Sequence, residues 1–483
     1  MENKSKKVVS NLFWSFLERI GAQGVSFIVS CVLARLLDPA LYGTIALVQV
    51  FIVILGVFVD SGMGNSLIQK KDADDLDFSS VFFFNLVMSI FLYVGLFFAS
   101  PLIASFYERP ELTPVIRVMG LTLIVSGIKN IQQAYVSKHM MFRKFFFSTL
   151  GGTIGAAVIG IWMAWNGYGV WALVIQSLFN QVVDTTILWI TVKWRPKLQF
   201  SIKRLKGLLS YGWKLLVSGL LDRLSNELRH LIIGKYYTTE DLAFYNKGDN
   251  FPKLLITNIN SSIDSVLLPT LSAEQDNKTR VRDMTRRAIK TSTYLLMPLM
   301  MGMAVCAEPM IRLLITEKWL PAVFFLRIFC FTYAFYPVHT ANLNAIKAMG
   351  RSDLFLKLEL IKKAMAFTVL GITMFISVEA MALSMIFTSI VSQIINSWPN
   401  KKLLDYKYID QLKDMMPQIL LSLLMGAVVF CVSFLHLGDL LTLVIQVLLG
   451  AAVYIGLSKV FKIDSFEYVL GIIKNYKGSK SGK

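Results

Sequence analysis

Residues 12–35 read LFWSFLERIGAQGVSFIVSCVLAR. The run is apolar enough to enter a bilayer, yet Glu18 and Arg19 stand side by side within it. Ser15, Arg19, Ala22, Gln23, Ser26 and Ser30 follow the spacing of one helix face, while Phe13, Phe16, Leu17, Ile20, Phe27 and Val32 fall on the others. A charge at mid-bilayer costs about 2.5–3.5 kcal/mol on insertion scales, so a helix that keeps such a stripe turns it toward a protein interior or a wet cavity. A second stretch repeats the design. Between Trp213 and Gly234, Ser218, Asp222, Ser225, Asn226 and Arg229 share one face, with Arg223, Glu227 and His230 beside them and Leu220, Leu224, Leu228 and Leu231 opposite. The two helices are expected to face each other across a polar cavity inside the membrane.

Similar apolar runs recur along almost all of the 483 residues, 55% of which are hydrophobic, and the mean hydropathy is +0.58. Each run is about 20 residues, enough to cross about 30 Å of hydrocarbon as a helix. The chain therefore reads as an all-α polytopic membrane protein. A net charge of +18 would suit nucleic acid, but the basic residues sit in alternate connections between apolar runs, as the positive-inside rule requires. Cys31, Cys306, Cys330 and Cys431 lie in or beside apolar runs without a C-x-x-C pair, and read as core residues. The basic stretch Met1 to Lys7 leads into a first span too long and too charged for a cleaved signal. No phosphate loop, zinc-ligand spacing or Ser/His/Asp arrangement is present, so the expectation is a transporter without cofactor or metal, not an enzyme.

About fourteen spans are expected, near residues 12–34, 43–63, 79–100, 115–135, 146–165, 169–192, 213–234, 251–271, 291–315, 321–347, 354–376, 379–398, 416–435 and 439–458. Pro39 and Gly43 mark a turn between the first two, and Pro298 and Pro337 mark kinks. Lys203, Arg204 and Lys206 beside Leu205, Leu208 and Leu209 suggest a short amphipathic helix on the membrane surface. An even number of spans puts both termini on the basic, cytoplasmic side.

The chain also repeats itself. Glu18-Arg19 and Asp222-Arg223 are 204 positions apart, as are Asp60-Ser61 and Asp264-Ser265. Lys138, Phe142 and Lys144 return as Arg351, Phe355 and Lys357 at an offset of 213. The expected organisation is an N-terminal six-helix bundle (1–192), a cytoplasmic amphipathic linker (193–212), a C-terminal six-helix bundle (213–400) related to the first by a pseudo-two-fold axis, and two further helices with a basic tail (401–483).

The segments Ala34-Arg35-Leu36-Leu37-Asp38-Pro39-Ala40-Leu41-Tyr42-Gly43, Asp60-Ser61-Gly62-Met63-Gly64-Asn65 and Ala345-Ile346-Lys347-Ala348-Met349-Gly350-Arg351 resemble the polysaccharide flippases of the multidrug/oligosaccharidyl-lipid/polysaccharide exporter superfamily, of the lipopolysaccharide and colanic-acid type. The resemblance covers essentially the whole chain. It implies a bacterial inner-membrane flippase that moves an undecaprenyl-diphosphate-linked oligosaccharide from the cytoplasmic to the periplasmic leaflet by alternating access, beside a polysaccharide polymerase and glycosyltransferases. Related lipid II flippases carry a second arginine soon after the one that Arg19 matches; Gln23 and Gly24 stand there in this chain, which favours a different glycan.

Moving a diphosphate through oil requires cations, and arginine's planar fork suits phosphate oxygens. Arg19, Arg223 and Arg229 are the expected cavity cations, with Gln23, Asn226 and His230 as sugar contacts. Glu18, Asp222 and Glu227 are candidates for ion coupling. So are Asp60 and Asp264, which also read as caps or partners of loop lysines. Lys129 and Lys347 read as snorkelling residues or a substrate portal. The alternatives are an ion-coupled multidrug or cation antiporter of the same superfamily and a non-transporting component of polysaccharide assembly.

Overall fold

A computed structural model describes residues 21–60 and 62–471; Glu18, Arg19 and Ser61 lie outside them. Among the described residues there is no strand. The helices are α1 (Gly21–Leu36), α2 (Pro39–Asp60), α3 (Met63–Gln69), α4 (Asp75–Phe106), α5 (Leu112–Lys138), α6 (Phe142–Trp165), α7 (Val170–Thr191), α8 (Ile202–Tyr236), α9 (Thr239–Ala273), α10 (Lys278–Val305), α11 (Ala307–Ile315), α12 (Ala322–Ala334), α13 (Tyr336–Ala348), α14 (Ser352–Thr373), α15 (Val378–Leu403), α16 (Tyr408–Cys431) and α17 (Asp439–Val460). Ten helical segments among the described residues are long and apolar enough to cross a membrane, so this is a multi-pass membrane protein. Helices α8 and α9, of 35 residues each, and α14, of 22, have the length but carry more polar residues. The expected count of about fourteen requires those three and the segment that contains α1.

The chain divides into two compact units, residues 1–243 and 244–483. In the first, α4 pairs with α5 and α6 with α7, while α2 lies against α5 and α8. The seam between α6 and α7 is built on small residues: Gly152, Ala156 and Gly160 are buried, and a Cβ added at Gly152 would stand 2.8 Å from the Asn180 carbonyl oxygen. Small residues let backbones approach where lipid supplies no hydrophobic drive. The outer side of α4 is oily, with Phe91, Phe98 and Leu102 each more than 70% exposed.

Three expectations about local structure need correction here. Gly43 does not end a turn: α2 starts at Pro39, whose fixed φ suits a first helical position, and Gly43 lies within the helix. Its missing side chain lets Thr239 approach so closely that a Cβ would stand 1.7 Å from the Thr239 carbonyl oxygen. The linker helix is not separate from the seventh span; both belong to α8. Nor is its apolar side free to face lipid, because Leu205 and Leu208 are buried with Met63, Leu67, Phe78 and Trp194. Arg204 Nη1 bonds Asp74 at 2.8 Å and Asp77 at 3.3 Å, and Trp194 Nε1 donates to Asp75 at 3.1 Å. Helix α8 thus belongs to the first unit, and the boundary between units falls after it, whereas the sequence repeat divides the chain at the linker.

In the second unit α10 lies against α12, α13 and α16, and α17 against α11 and α16. Tyr294 donates to Ser458 Oγ at 3.0 Å, and Tyr454 donates to the Tyr294 carbonyl at 2.8 Å, which ties α17 to α10. The basic stretch after residue 277 is helical. It forms the first turns of α10, capped by Asn277, whose side chain accepts the Arg280 N–H at 3.1 Å. Asp414 of α16 receives Arg286 through Nε at 2.5 Å and Nη2 at 2.7 Å, and the Tyr406 hydroxyl at 2.8 Å. The tenth span does break, between α12 and α13 just before Pro337, whereas α10 continues through Pro298.

Candidate functional site: a polar helix face

Helix α8 is long enough to cross a bilayer, at about 1.5 Å of rise per residue, yet its central turns carry Asp222, Arg223, Asn226, Glu227, Arg229 and His230. One side of the helix is committed to the first unit. Ile233 is buried, and a Cβ on Gly234 would meet Leu47 Cδ1 at 2.6 Å. Asp222, Arg223 and Asn226 are exposed, and Arg229 is partly buried. The Arg229 Nε is buried and has no hydrogen-bond partner among the described residues. Glu227 holds His230 Nδ1 at 2.7 Å, one turn along the same face. An exposed guanidinium and an exposed amide one turn apart, with a second guanidinium beyond, suit a ligand that combines phosphate oxygens with hydroxyl groups.

The other expected residues are dispersed. Gln23 is partly buried on α1, and Asp60 is exposed at the end of α2. In the second unit Asp264 Oδ1 accepts the Asn344 side-chain amide at 2.8 Å, and one turn earlier Asn260 accepts the Thr340 hydroxyl at 2.8 Å. Asp264 therefore joins a polar seam between α9 and α13 instead of pairing with a loop lysine. Lys347 is exposed, its Nζ 4.4 Å from the Phe355 ring centroid. Lys129 does not snorkel. Its Nζ bonds Asp184 Oδ2 at 2.5 Å, with 17% and 10% of the two side chains exposed.

Sequence reasoning missed Asp184, along with two further polar clusters. Asp249 of α9, 7% exposed, accepts the Tyr333 hydroxyl at 2.5 Å and Lys253 at 2.9 Å. Asn342, Asn400 and Gln411 form a buried amide chain centred on Asn342: Asn342 and Gln411 exchange bonds of 2.9 and 3.0 Å, and Asn400 Nδ2 donates to Asn342 Oδ1 at 2.7 Å. The available signal was one acid in an apolar span and a base in another, 55 residues apart. Among the described residues no three His, Cys, Asp or Glu side chains converge as metal ligands would.

Known proteins share this architecture. The structure of the lipid II flippase MurJ in an inward closed conformation superposes with a TM-score of 0.76 over 94% of this chain and 99% of that one, at 16% identity. An inward-facing multidrug resistance transporter of the MATE family superposes with a TM-score of 0.60 over 83% of this chain and 98% of its own, at 14% identity. In sequence, the teichuronic acid biosynthesis protein TuaB of Bacillus subtilis is 23% identical across 90% of both chains. The succinoglycan biosynthesis transport protein ExoT of Rhizobium meliloti is 26% identical over 65% of this chain and 64% of its own length, a little under two thirds. The lipopolysaccharide biosynthesis protein WzxC of Escherichia coli is 22% identical over 74% of this chain and 73% of its own. Residues 32–324, which hold α2 to α8 and the polar face, match the family described as polysaccharide biosynthesis protein, and the chain belongs to that family.

Proposed function

We propose that the protein is a flippase that carries undecaprenyl-diphosphate-linked oligosaccharide repeat units from the cytoplasmic to the periplasmic leaflet of a bacterial inner membrane, both termini being cytoplasmic. The product feeds a surface polysaccharide such as lipopolysaccharide O-antigen, capsule or exopolysaccharide, with a polymerase and glycosyltransferases as partners. The observation that carries the reading is the α8 face: two arginines and an asparagine in the middle of a span-length helix, in a chain whose relatives are named for polysaccharide biosynthesis and transport. Arg19, Arg223 and Arg229 would hold the diphosphate, and Gln23, Asn226 and His230 the sugar hydroxyls. The fold shared with MurJ supports alternating access as the mechanism. Pairing with Asp184 withdraws Lys129 from the portal and leaves Lys347 for that role.

The test is a deletion strain complemented with Arg223→Gln and Arg229→Gln. Each variant should reach normal abundance in the membrane, stop polymer export and leave lipid-linked repeat units on the cytoplasmic face. Full export from both variants would remove the α8 arginines from the substrate path.

A further inference from the structure

The part of α9 that belongs to the second unit carries a row of hydrophilic side chains that the α8 reading leaves unused. Lys253, Thr257, Ser261 and Ser265 follow one another at four-residue spacing, with Asp264 beside the last. The row covers about 18 Å of helix, beginning about 21 Å from one end of α9 and stopping about 12 Å from the other. All five residues are exposed, whereas Ile256, Leu267 and Leu271 are buried and fix the side that packs into the unit. Hydrophilic groups at such depth face a protein interior or a wet cavity, not lipid. The repeat that pairs Asp60-Ser61 with Asp264-Ser265 makes α2 the counterpart of α9. From Val50 to Val59, α2 holds only apolar residues and a glycine. A span at this place in the fold therefore needs no hydroxyls, and folding does not explain the row.

The row is rich in acceptors. The Ser261 hydroxyl donates to the Asn258 carbonyl at 3.1 Å and the Ser265 hydroxyl to the Ser262 carbonyl at 2.9 Å, which leaves both oxygens to accept. Pro269 has no N–H to give the Ser265 carbonyl one turn before it. Asp264 accepts the Asn344 amide through Oδ1, and a carboxylate has room for several further donors. The cation of the row is Lys253, 55% of whose side chain is exposed. Asp249 holds it at 2.9 Å and is itself held by the Tyr333 hydroxyl at 2.5 Å. Two carboxylates thus stand against one ammonium. An ionised diphosphate has no hydrogen to donate and meets surplus negative charge here, so it is disfavoured. Sugar hydroxyls both donate and accept, and they suit a row of this kind.

We infer that the α9 row binds the neutral sugars of the transported oligosaccharide and makes transport depend on how much glycan the lipid carries, an inference that rests on the flippase reading. Sugar hydroxyls donate to Ser261, Asp264 and Ser265 and accept from the Lys253 ammonium. The row sets specificity for the glycan, while the arginines of α8 answer for the diphosphate.

The test uses the full chain in proteoliposomes with two probes: the complete lipid-linked repeat unit extracted from the deletion strain, and undecaprenyl diphosphate carrying its first sugar alone. Wild type should move the complete unit with the lower KM. In Thr257→Val/Ser261→Ala/Ser265→Ala the KM for the complete unit should rise about tenfold or more, as expected for the loss of several hydrogen bonds, while the KM for the one-sugar lipid stays unchanged. The serine hydroxyls bond within α9, so their removal leaves the packing of the unit intact. Ser261→Ala alone should show a smaller loss of the same kind. Thr257→Ser/Ser261→Thr/Ser265→Thr, which retains the hydroxyls, should keep the wild-type preference. Arg223→Gln should lose both probes alike. An unchanged KM for the complete unit in the triple alanine-and-valine variant, an equal loss for both probes in that variant, or a wild type that moves both probes with one KM would overturn the inference. A wild type that moves neither probe would overturn the flippase reading itself, and the glycan row with it.

Discussion

The substitution Gly43→Ala isolates the close approach between α2 and Thr239. The added Cβ would stand 1.7 Å from the Thr239 carbonyl oxygen and 2.5 Å from its carbonyl carbon. Both neighbours are backbone, so no rotamer relieves the clash. Real contacts of this kind essentially never fall below 3.0 Å, so one helix must shift by more than an ångström against the other. Overpacking costs about 1–3 kcal/mol even where side chains can yield, and backbone cannot, so the clash should cost at least about 3 kcal/mol. Alanine returns about 1 kcal/mol of helix propensity over glycine, which leaves a net loss of about 2 kcal/mol or more. Gly56, on the same helix, has nothing within 4 Å of its absent Cβ, so Gly56→Ala should gain the propensity alone. The assay is thermal unfolding in detergent and in native membranes, with both variants at matched expression. Gly43→Ala should melt below wild type and Gly56→Ala at or above it. Equal melting of the two variants would refute the steric account of Gly43.

Asp414 is 5% exposed and collects Arg286, Lys290 and Tyr406. Hydrogen bonds to charged groups contribute about 1.5–3 kcal/mol, and the half-exposed Arg286 lowers the sum, so Asp414→Asn should cost about 2 kcal/mol in thermal unfolding. A double-mutant cycle with Arg286→Gln should show that most of this is shared. The Asp77 backbone N–H, bonded to Asp74 at 3.0 Å, holds the Asp74 carboxyl below the usual carboxylate range, with Arg204 adding to the effect. A depressed value means that the cap stabilises fully above the unfolded-chain value and weakens as pH falls through the folded one. Wild type should therefore outlast Asp74→Ala by about 1 kcal/mol at neutral pH, and the gap in melting temperature should close in acid.

The spans were legible because lipid leaves no choice about backbone hydrogen bonds: a long apolar run must be a helix. Their ends were not, because hydropathy stops at the oil while the helix does not. Helix α8 begins at Ile202 and α10 at Lys278, each about three turns before the apolar signal, started by a side-chain cap from Ser201 or Asn277. Pro337 was read as a kink, and it falls where two helices meet. Gly43 was misread because a glycine that frees the backbone and one that admits a neighbour look alike in sequence. The polar face of α8 was visible from periodicity alone. Asp184 was not, because one acid in an apolar span acquires meaning only when the fold brings Lys129 to it.

The account stands or falls on whether water reaches the polar face of α8. Single cysteines at Asn226 and Leu221, both exposed on that helix, should be compared in a background with Cys31, Cys306, Cys330 and Cys431 replaced, using a water-soluble, membrane-impermeant maleimide on opened membrane vesicles. The account predicts that Asn226→Cys is modified and then protected by lipid-linked oligosaccharide, while Leu221→Cys stays unmodified. An unreactive cysteine at 226, or one whose labelling ignores the substrate, would contradict it.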